Sequence, residues 1–102
     1  MKRNVIFAVF LAFVSLSSEG HSMMWIAGNK RLCQSVCIQA KSVAVTSGVH
    51  KPTGRPFYVC RAEIENEGKR PGYNLDPYWA DRCVSGHGGK ERFLRSYDCL
   101  CI

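Results

Sequence analysis

The stretch Arg55-Pro-Phe-Tyr-Val-Cys-Arg-Ala62 determines the fold that we predict for this chain. It is mostly apolar and lies between a Thr53-Gly54 turn and a charged segment, residues 63–70, so we interpret it as the central strand. Side chains alternate along a strand. One face therefore carries Phe57, Val59 and Arg61, and the other carries Tyr58, Cys60 and Ala62. A charged residue in such a strand needs an acidic partner, so we expect Arg61 to pair with Glu91 or Asp98.

The first 20 residues have the pattern of a secretory signal peptide. A basic start precedes an apolar stretch, residues 5–16, and small residues follow it. The stretch is too short to cross a bilayer, so we predict no transmembrane segment. Cleavage before His21 and cleavage before Met23 both fit the pattern, and the choice between them stays open. We therefore expect a secreted or periplasmic protein whose mature part, residues 21–102, is a single domain.

A mature domain of this size has a small core and needs additional cross-links. The chain has six cysteines, and an even number in an exported protein predicts disulfides. A zinc site is the alternative, but no Cys-x-x-Cys occurs and the three histidines are scattered, so we predict no metal and no cofactor. The net charge is +6 without any block of like charge, which favours a solvated surface over a nucleic-acid site.

The residues around the central strand predict a mainly β, antiparallel module with one short N-terminal helix. Asn29 can cap a helix over residues 30–40. Residues 43–48 form a strand that a turn at residues 50–54 returns to the central strand as a hairpin. The remaining predictions are a polar loop at 63–69, a turn at 70–73, an irregular segment at 74–79, a short strand at 83–85 and a terminal strand at 96–101.

Geometry narrows the fifteen possible pairings of the cysteines. Cys33 and Cys37 lie on one helix face about 6 Å apart. Cys99 and Cys101 share one face of a strand at about 6.5 to 7 Å. We therefore predict that each helical cysteine bonds one of the two terminal cysteines, in an order that stays open. The two remaining cysteines pair as Cys60 with Cys83.

Catalytic motifs are not evident in the sequence. The serines lie in no nucleophile-elbow context, and cysteines committed to disulfides cannot act as nucleophiles. Two carboxylate pairs, at positions 63 and 65 and at positions 76 and 81, suggest a glycoside hydrolase, but a chain of this size offers no long cleft to hold them. We therefore predict that the protein is not an enzyme.

The best candidate for a ligand site is residues 73–79, where aromatic rings alternate with polar side chains. Sugars bind by stacking on such rings and by hydrogen bonds to neighbouring polar groups. The alternative is that Tyr78 and Trp79 cover the core. The glycine-rich residues 86–91 can bind an anion through backbone amides, or simply connect two strands. The candidate ligand-binding residues are Tyr73, Asn74, Asp76, Trp79, His87 and Lys90.

Five short motifs also follow one another in a recognisable order: Gly54-x-Pro-Phe-Tyr-Val-Cys-Arg-Ala62, Arg70-Pro-Gly72, Cys83, Gly88-Gly-Lys-Glu91 and Tyr97-x-Cys-Leu100. Over residues 44–101 this order resembles the DM-nine repeat, a module of lectin-like proteins and natterin-like toxins. The resemblance implies an all-β module of antiparallel strands, usually present as two repeats, that binds carbohydrate, with mannose bound by some members.

This chain has a single repeat, so the resemblance implies either a homodimer or a monomer in which residues 25–40 cover the face that a second repeat would occupy. The family's sugar site has an acidic residue in the hairpin before the strand motif and a lysine after Pro-Gly. Here His50 and Lys51 occupy the hairpin, and Tyr73 follows Pro-Gly.

The function that we predict is binding of a glycan or cell-surface polymer by a secreted, lectin-like module. One alternative is a small inhibitor or effector that binds another protein through the loops at residues 50–54 and 86–90. A second alternative is a structural module of the cell envelope without a soluble ligand.

Overall fold

The computed structural model describes residues 22–86 and 90–102. The predicted signal peptide, residues 1–20, lies outside the described residues. In the described part the chain forms one helix and seven strands, which confirms the predicted mainly β fold with one short helix. The elements are β1 (Met24–Ala27), α1 (Cys33–Gln39), β2 (Thr46–His50), β3 (Arg55–Ile64), β4 (Gly68–Leu75), β5 (Trp79–Ser85), β6 (Arg92–Leu94) and β7 (Asp98–Cys101).

The strands form one antiparallel sheet around β3 in the order β1-β7-β3-β4-β5-β6, and β2 also pairs with β3. One edge of β3 pairs with β4. The other edge pairs first with β2, through residues 55–58, and then with β7, through Cys60 and Arg61. The predicted central strand and its hairpin with the preceding strand are therefore both present.

The strand predicted at residues 43–48 is divided between two neighbours. Val43 exchanges backbone hydrogen bonds with Ile102, at the end of β7. Val45 then donates to the Leu100 carbonyl and accepts a hydrogen bond from the Val59 amide. The regular pairing with β3 begins only at Thr46. The segment therefore links β7 to β3 before it enters the hairpin.

The loop predicted at residues 63–69 and the turn predicted at residues 70–73 are wrong. β3 and β4 form a long hairpin with a tight turn, in which Asn66 has a left-handed φ of 67° and Gly68 one of 75°. Pro-Gly lies inside β4 because the sheet needs a glycine there. A Cβ at Gly72 would clash with the Val84 carbonyl and lie 2.9 Å from the Cys83 Sγ.

The helix begins three residues later than predicted. Asn29 and Lys30 both have left-handed φ values, 53° and 62°, so neither can belong to a right-handed helix, and Asn29 does not cap it. The first helical amide, that of Cys33, donates instead to the Asn74 Oδ1 atom at 2.7 Å. The helix amide is therefore capped by the Asn74 side chain from β4, and not by Asn29, the local cap that we predicted from the sequence.

The three disulfides join α1 to β7 and β3 to β5 as predicted. All six cysteines are fully buried and form one core cluster with Val36, Tyr58, Ala62 and Tyr97. This cluster lies on the face of the sheet that α1 covers, which we call the inner face. The order that the sequence left open is Cys33–Cys99 and Cys37–Cys101, and the third bond is Cys60–Cys83.

Candidate ligand-binding surface

The opposite side of the sheet, which we call the outer face, carries the residues that alternate with the inward-pointing cysteines. Directly opposed residues of neighbouring antiparallel strands project to the same face. Register pairs Val59 with Tyr73, Tyr73 with Val84, and Val84 with Phe93. These four residues form a row across β3, β4, β5 and β6 on the outer face.

Aromatic rings extend this row into a continuous strip. Each ring packs edge-on or tilted against at least one other ring, and the centroids of packed neighbours are 4.8 to 6.1 Å apart. The strip runs from β2 through β3, β4 and β5 to β6, crossing the strand direction. We call it the aromatic strip, and its members are His50, Phe57, Tyr73, Tyr78, Trp79 and Phe93.

The aromatic strip is partly core and partly surface. Tyr78 is 57% exposed and Phe93 49%, whereas the other four rings are half-buried. Leu75 and Val84 are fully buried but lie outside the disulfide cluster. Leu75 is paired with Trp79, and Val84 lies between two aromatic neighbours. The two interpretations of the aromatic residues therefore apply together, because the same rings flank a small second core and present their free faces to solvent.

Polar groups border the strip. The Tyr73 hydroxyl donates to the Glu91 Oε2 atom at 3.1 Å. Burial raises the pKa of Tyr73, and the hydrogen bond to Glu91 raises it further. Glu91 therefore places a hydrogen-bond acceptor at the edge of the strip. Asp76 forms an ion pair with Arg55, with 3.2 Å between the Oδ2 and Nη1 atoms. Burial raises the pKa of Tyr58, on the inner face, and the charge of Asp76 raises it further.

Asn74, predicted to bind ligand, is instead a buried structural residue. Its side chain is 0% exposed. Its Nδ2 atom lies 2.8 to 3.2 Å from the carbonyl oxygens of Trp79, Ala80 and Arg82, to which it donates, and its Oδ1 atom accepts from the Cys33 amide. Both ends of its amide group are therefore engaged inside the protein. The predicted irregular surface segment at residues 74–79 is wrong at both ends, since Asn74 and Leu75 are buried in β4 and Trp79 begins β5, and it holds only for the turn at residues 76–78.

Lys90 lies apart from the strip. It is exposed and lines a small cavity with Glu67, Gly86 and Arg92. A Cβ at Gly86, where φ is 119°, would lie 2.5 Å from the Lys90 carbonyl, so this glycine is required for the chain to turn. His87 lies outside the described residues. Of the six predicted ligand-binding residues, the structure therefore brings together Tyr73 and Trp79, whereas Asp76 pairs with Arg55.

The rest of the outer face carries a charged cluster. Arg61 pairs with Asp98, the second of its two predicted partners, at 3.0 Å, and its guanidinium lies 4.4 Å from the ring centroid of Trp25. The Lys69 ammonium reaches the same carboxylate oxygen at 2.7 Å. Hydrogen bonds from Lys69 and Arg61 hold the pKa of Asp98 below its ordinary value, although burial acts in the opposite direction.

Sequence reasoning missed His50, Phe57 and Phe93 as members of the strip. The signal for Phe57 was available, because alternation along β3 points it away from the cysteine face. Phe93 and His50 gave no comparable signal. Phe93 joins the strip only through the pairing of β6 with β5, which is not evident from local sequence, whereas His50 was assigned to the turn of the predicted hairpin and lies in β2.

Fold and surface together define a small, disulfide-stabilised β module with one aromatic face. Comparisons with protein-family models, with curated proteins and with solved structures found no match. Within residues 22–86 and 90–102, no three potential metal ligands lie close enough to hold an ion. In the same ranges no helix is both long enough and apolar enough to span a bilayer.

Proposed function

We propose that this protein is a secreted or periplasmic carbohydrate-binding module whose ligand lies along the aromatic strip. The observation that carries the proposal is the set of six packed rings that crosses the outer face from β2 to β6. Exposed rings of this kind are uncommon on a small soluble domain unless a ligand or partner covers them. An elongated row of rings fits several units of a sugar chain better than a single monosaccharide.

The polar border of the strip supports a sugar over a purely apolar ligand. Pyranose rings present an apolar face, which stacks on an aromatic side chain, and a rim of hydroxyls, which needs donors and acceptors. Glu91 has a carboxylate beside a ring of the strip, with one oxygen engaged by the Tyr73 hydroxyl. The remaining lone pairs of this carboxylate are available to sugar hydroxyls.

Resemblance to the DM-nine repeat supports the same class of ligand. Because α1 and its two disulfides cover the inner face, the structure favours the interpretation in which this extension, rather than a second chain, replaces the missing repeat. We therefore propose that the monomer binds the sugar. The three disulfides support an oxidising, extracytoplasmic location.

A glycan array screened with the oxidised mature protein tests the proposal. Phe93→Ala and Tyr78→Ala remove the two most exposed rings of the strip, and Trp79→Ala removes the indole between them. Ile38→Ala is the matched control, because Ile38 is 61% exposed and lies on α1, against the other face of the sheet. We expect each strip variant to weaken binding roughly two- to tenfold, since stacking of one ring contributes about 0.5 to 1.5 kcal/mol, and the control to bind normally.

A blank array with a folded protein would contradict the proposal. It would then favour the second candidate, a secreted inhibitor or effector that binds a protein. The feature that supports this candidate is the exposed turn at residues 51–54, which is held by hydrogen bonds from the Thr53 and Gly54 amides to the His50 carbonyl. Capture of a partner that is lost when Lys51 and Pro52 are replaced, but kept in Phe93→Ala, would identify that function.

A further inference from the structure

A cleft of about 360 Å³ lies at the end of β1, away from the aromatic strip. It is lined by Ala27, by the turn residues Asn29 and Lys30, and by residues 95–98. Its volume is at the lower end of the range for small-molecule sites, which leaves room for one charged group and the ring that carries it.

The charges around this cleft are mostly positive. The carboxylates of Asp81 and Asp98 each have two basic partners, and within the described residues no carboxylate lies within ion-pair distance of Lys30. The cleft and these ion pairs therefore contain five basic side chains and two carboxylates. The five basic residues are Lys30, Arg61, Lys69, Arg82 and Arg95.

Arg95 has most of its hydrogen-bonding capacity free. Its Nε atom is 3.7 Å from the Asp81 Oδ2 atom, whereas Arg82 binds both oxygens of that carboxylate, at 2.8 and 3.3 Å. The Arg95 side chain is 57% exposed. Its guanidinium can therefore bind an oxyanion with two parallel hydrogen bonds.

The backbone at Lys30 is fixed before any ligand arrives. The Gly28 amide donates to the Tyr97 carbonyl at 2.8 Å, and the Tyr97 hydroxyl donates to the Arg31 carbonyl at 2.5 Å. The turn between these two bonds holds Asn29 and Lys30 in the left-handed region, which costs energy for residues other than glycine. A side chain on a fixed turn loses less entropy on binding than one on a mobile loop.

We propose that this cleft binds an oxyanion group, a sulfate, phosphate or carboxylate, between Lys30 and Arg95, with Ser96 as an additional hydroxyl donor. The group is part of a polymer or a free ion, and the chemistry of recognition is the same for both. The site is separate from the aromatic strip, so the protein would bind an anionic substituent in the cleft and the apolar face of a neutral sugar at the strip.

The test is an NMR titration of the oxidised mature protein with four probes: inorganic sulfate, inorganic phosphate, a sulfated oligosaccharide and its desulfated counterpart. We expect saturable shifts of the amides of Ala27, Lys30 and Ser96. In the double variant Lys30→Gln, Arg95→Gln, affinity should fall about tenfold or more, since charge-assisted hydrogen bonds are lost. Arg95→Gln alone, at an exposed position, gives a second measurement if the double variant folds poorly.

Lys41→Gln, Lys51→Gln is the matched control, because it removes the same charge from exposed positions outside the cleft. An equal loss of affinity in this control, or shifts spread over all basic residues, would show that anion binding depends only on net charge. Either result would overturn the proposed site. The absence of saturable binding by any anionic probe would also overturn it. If the sulfated oligosaccharide binds more strongly than either free ion, the recognised oxyanion is part of a polymer. If all three bind equally, the ligand is the free ion. Phe93→Ala should leave the binding of inorganic sulfate and inorganic phosphate unchanged, which separates the cleft from the aromatic strip.

Discussion

The inner face of the sheet and α1 together bury six half-cystines, whereas the outer face carries the six rings of the aromatic strip, which are half-buried or exposed. On the inner face, covalent bonds replace the large apolar side chains that a domain of this size lacks. The outer face has no covalent constraint. The difference indicates that the inner face supplies most of the stability, so that the outer face can keep large apolar side chains in contact with solvent.

The largest effect should come from removing the two bonds between α1 and β7. Each closes a long loop, with sequence separations of 66 and 64, for which the chain-entropy model gives roughly 4 kcal/mol for the first bond and less for the second. With all four cysteines replaced by serine, we expect calorimetry to show a Tm lower by more than about 20 °C, or no cooperative transition. The replaced residues are Cys33, Cys37, Cys99 and Cys101.

The disulfide that closes the shortest loop gives the control for this experiment. Cys60 and Cys83 are 23 residues apart, so their replacement by serine should cost about 3 kcal/mol and leave α1 attached. Unchanged melting of the four-serine variant would show that the inner face does not depend on its covalent bonds, and the comparison of the two faces would fail.

The next effect concerns Asn74, which joins β4, β5 and α1. Asn74→Ala leaves the buried Cys33 amide and up to three carbonyls without a partner, so we expect a loss of about 3 kcal/mol in urea unfolding. Asn66→Gly is the control, because Asn66 is exposed with a left-handed φ that glycine accepts, and it should change stability by less than about 0.5 kcal/mol. If Asn74→Ala lost glycan binding while its stability stayed unchanged, Asn74 would be a ligand-binding residue, as the sequence predicted.

The successes of the sequence predictions depend on local geometry. Two cysteines four apart on a helix and two cysteines two apart on a strand have similar spacings, and this match alone predicted which cysteines α1 and β7 share. The turn residues at 50–54 likewise predicted the β2–β3 hairpin. Neither inference required knowledge of the other strands.

The failures share a different origin. The sequence Tyr73-Asn-Leu-Asp-Pro77 has the composition of a surface loop, but Asn74 is buried because three carbonyls of β5 and one amide of α1 converge on it in the folded chain. Pro71-Gly72 has the composition of a turn, yet a close approach of β5 requires the glycine inside a strand. In both places long-range packing overrode a correct estimate of local preference.

A smaller, pH-dependent effect comes mainly from the phenol of Tyr97. Burial raises the pKa of Tyr97, on the inner face, to about 12. Because the folded pKa exceeds the unfolded value of 10.0, the folded state binds more protons between these pH values, so stability is complete below about pH 10 and falls as pH rises toward 12. Unfolding measured across this range, with tyrosinate absorbance, should show the decline. Tyr97→Phe should reduce the decline more than replacement of Tyr58 or Tyr73, whose pKa values burial also raises, whereas an unchanged decline in Tyr97→Phe would assign it to another group.

The smallest effect on stability should come from the exposed end of the aromatic strip. Phe93 is 49% exposed, so Phe93→Ala should cost less than about 1 kcal/mol in urea unfolding, whereas Val84→Ala, at a position only 1% exposed between two strip residues, should cost roughly 1 to 2.5 kcal/mol. If Phe93→Ala were as destabilising as Val84→Ala, the ring would be a core residue and the outer face would resemble the inner one. If it were nearly neutral and glycan binding fell, the exposed ring would be retained for the ligand rather than for the fold.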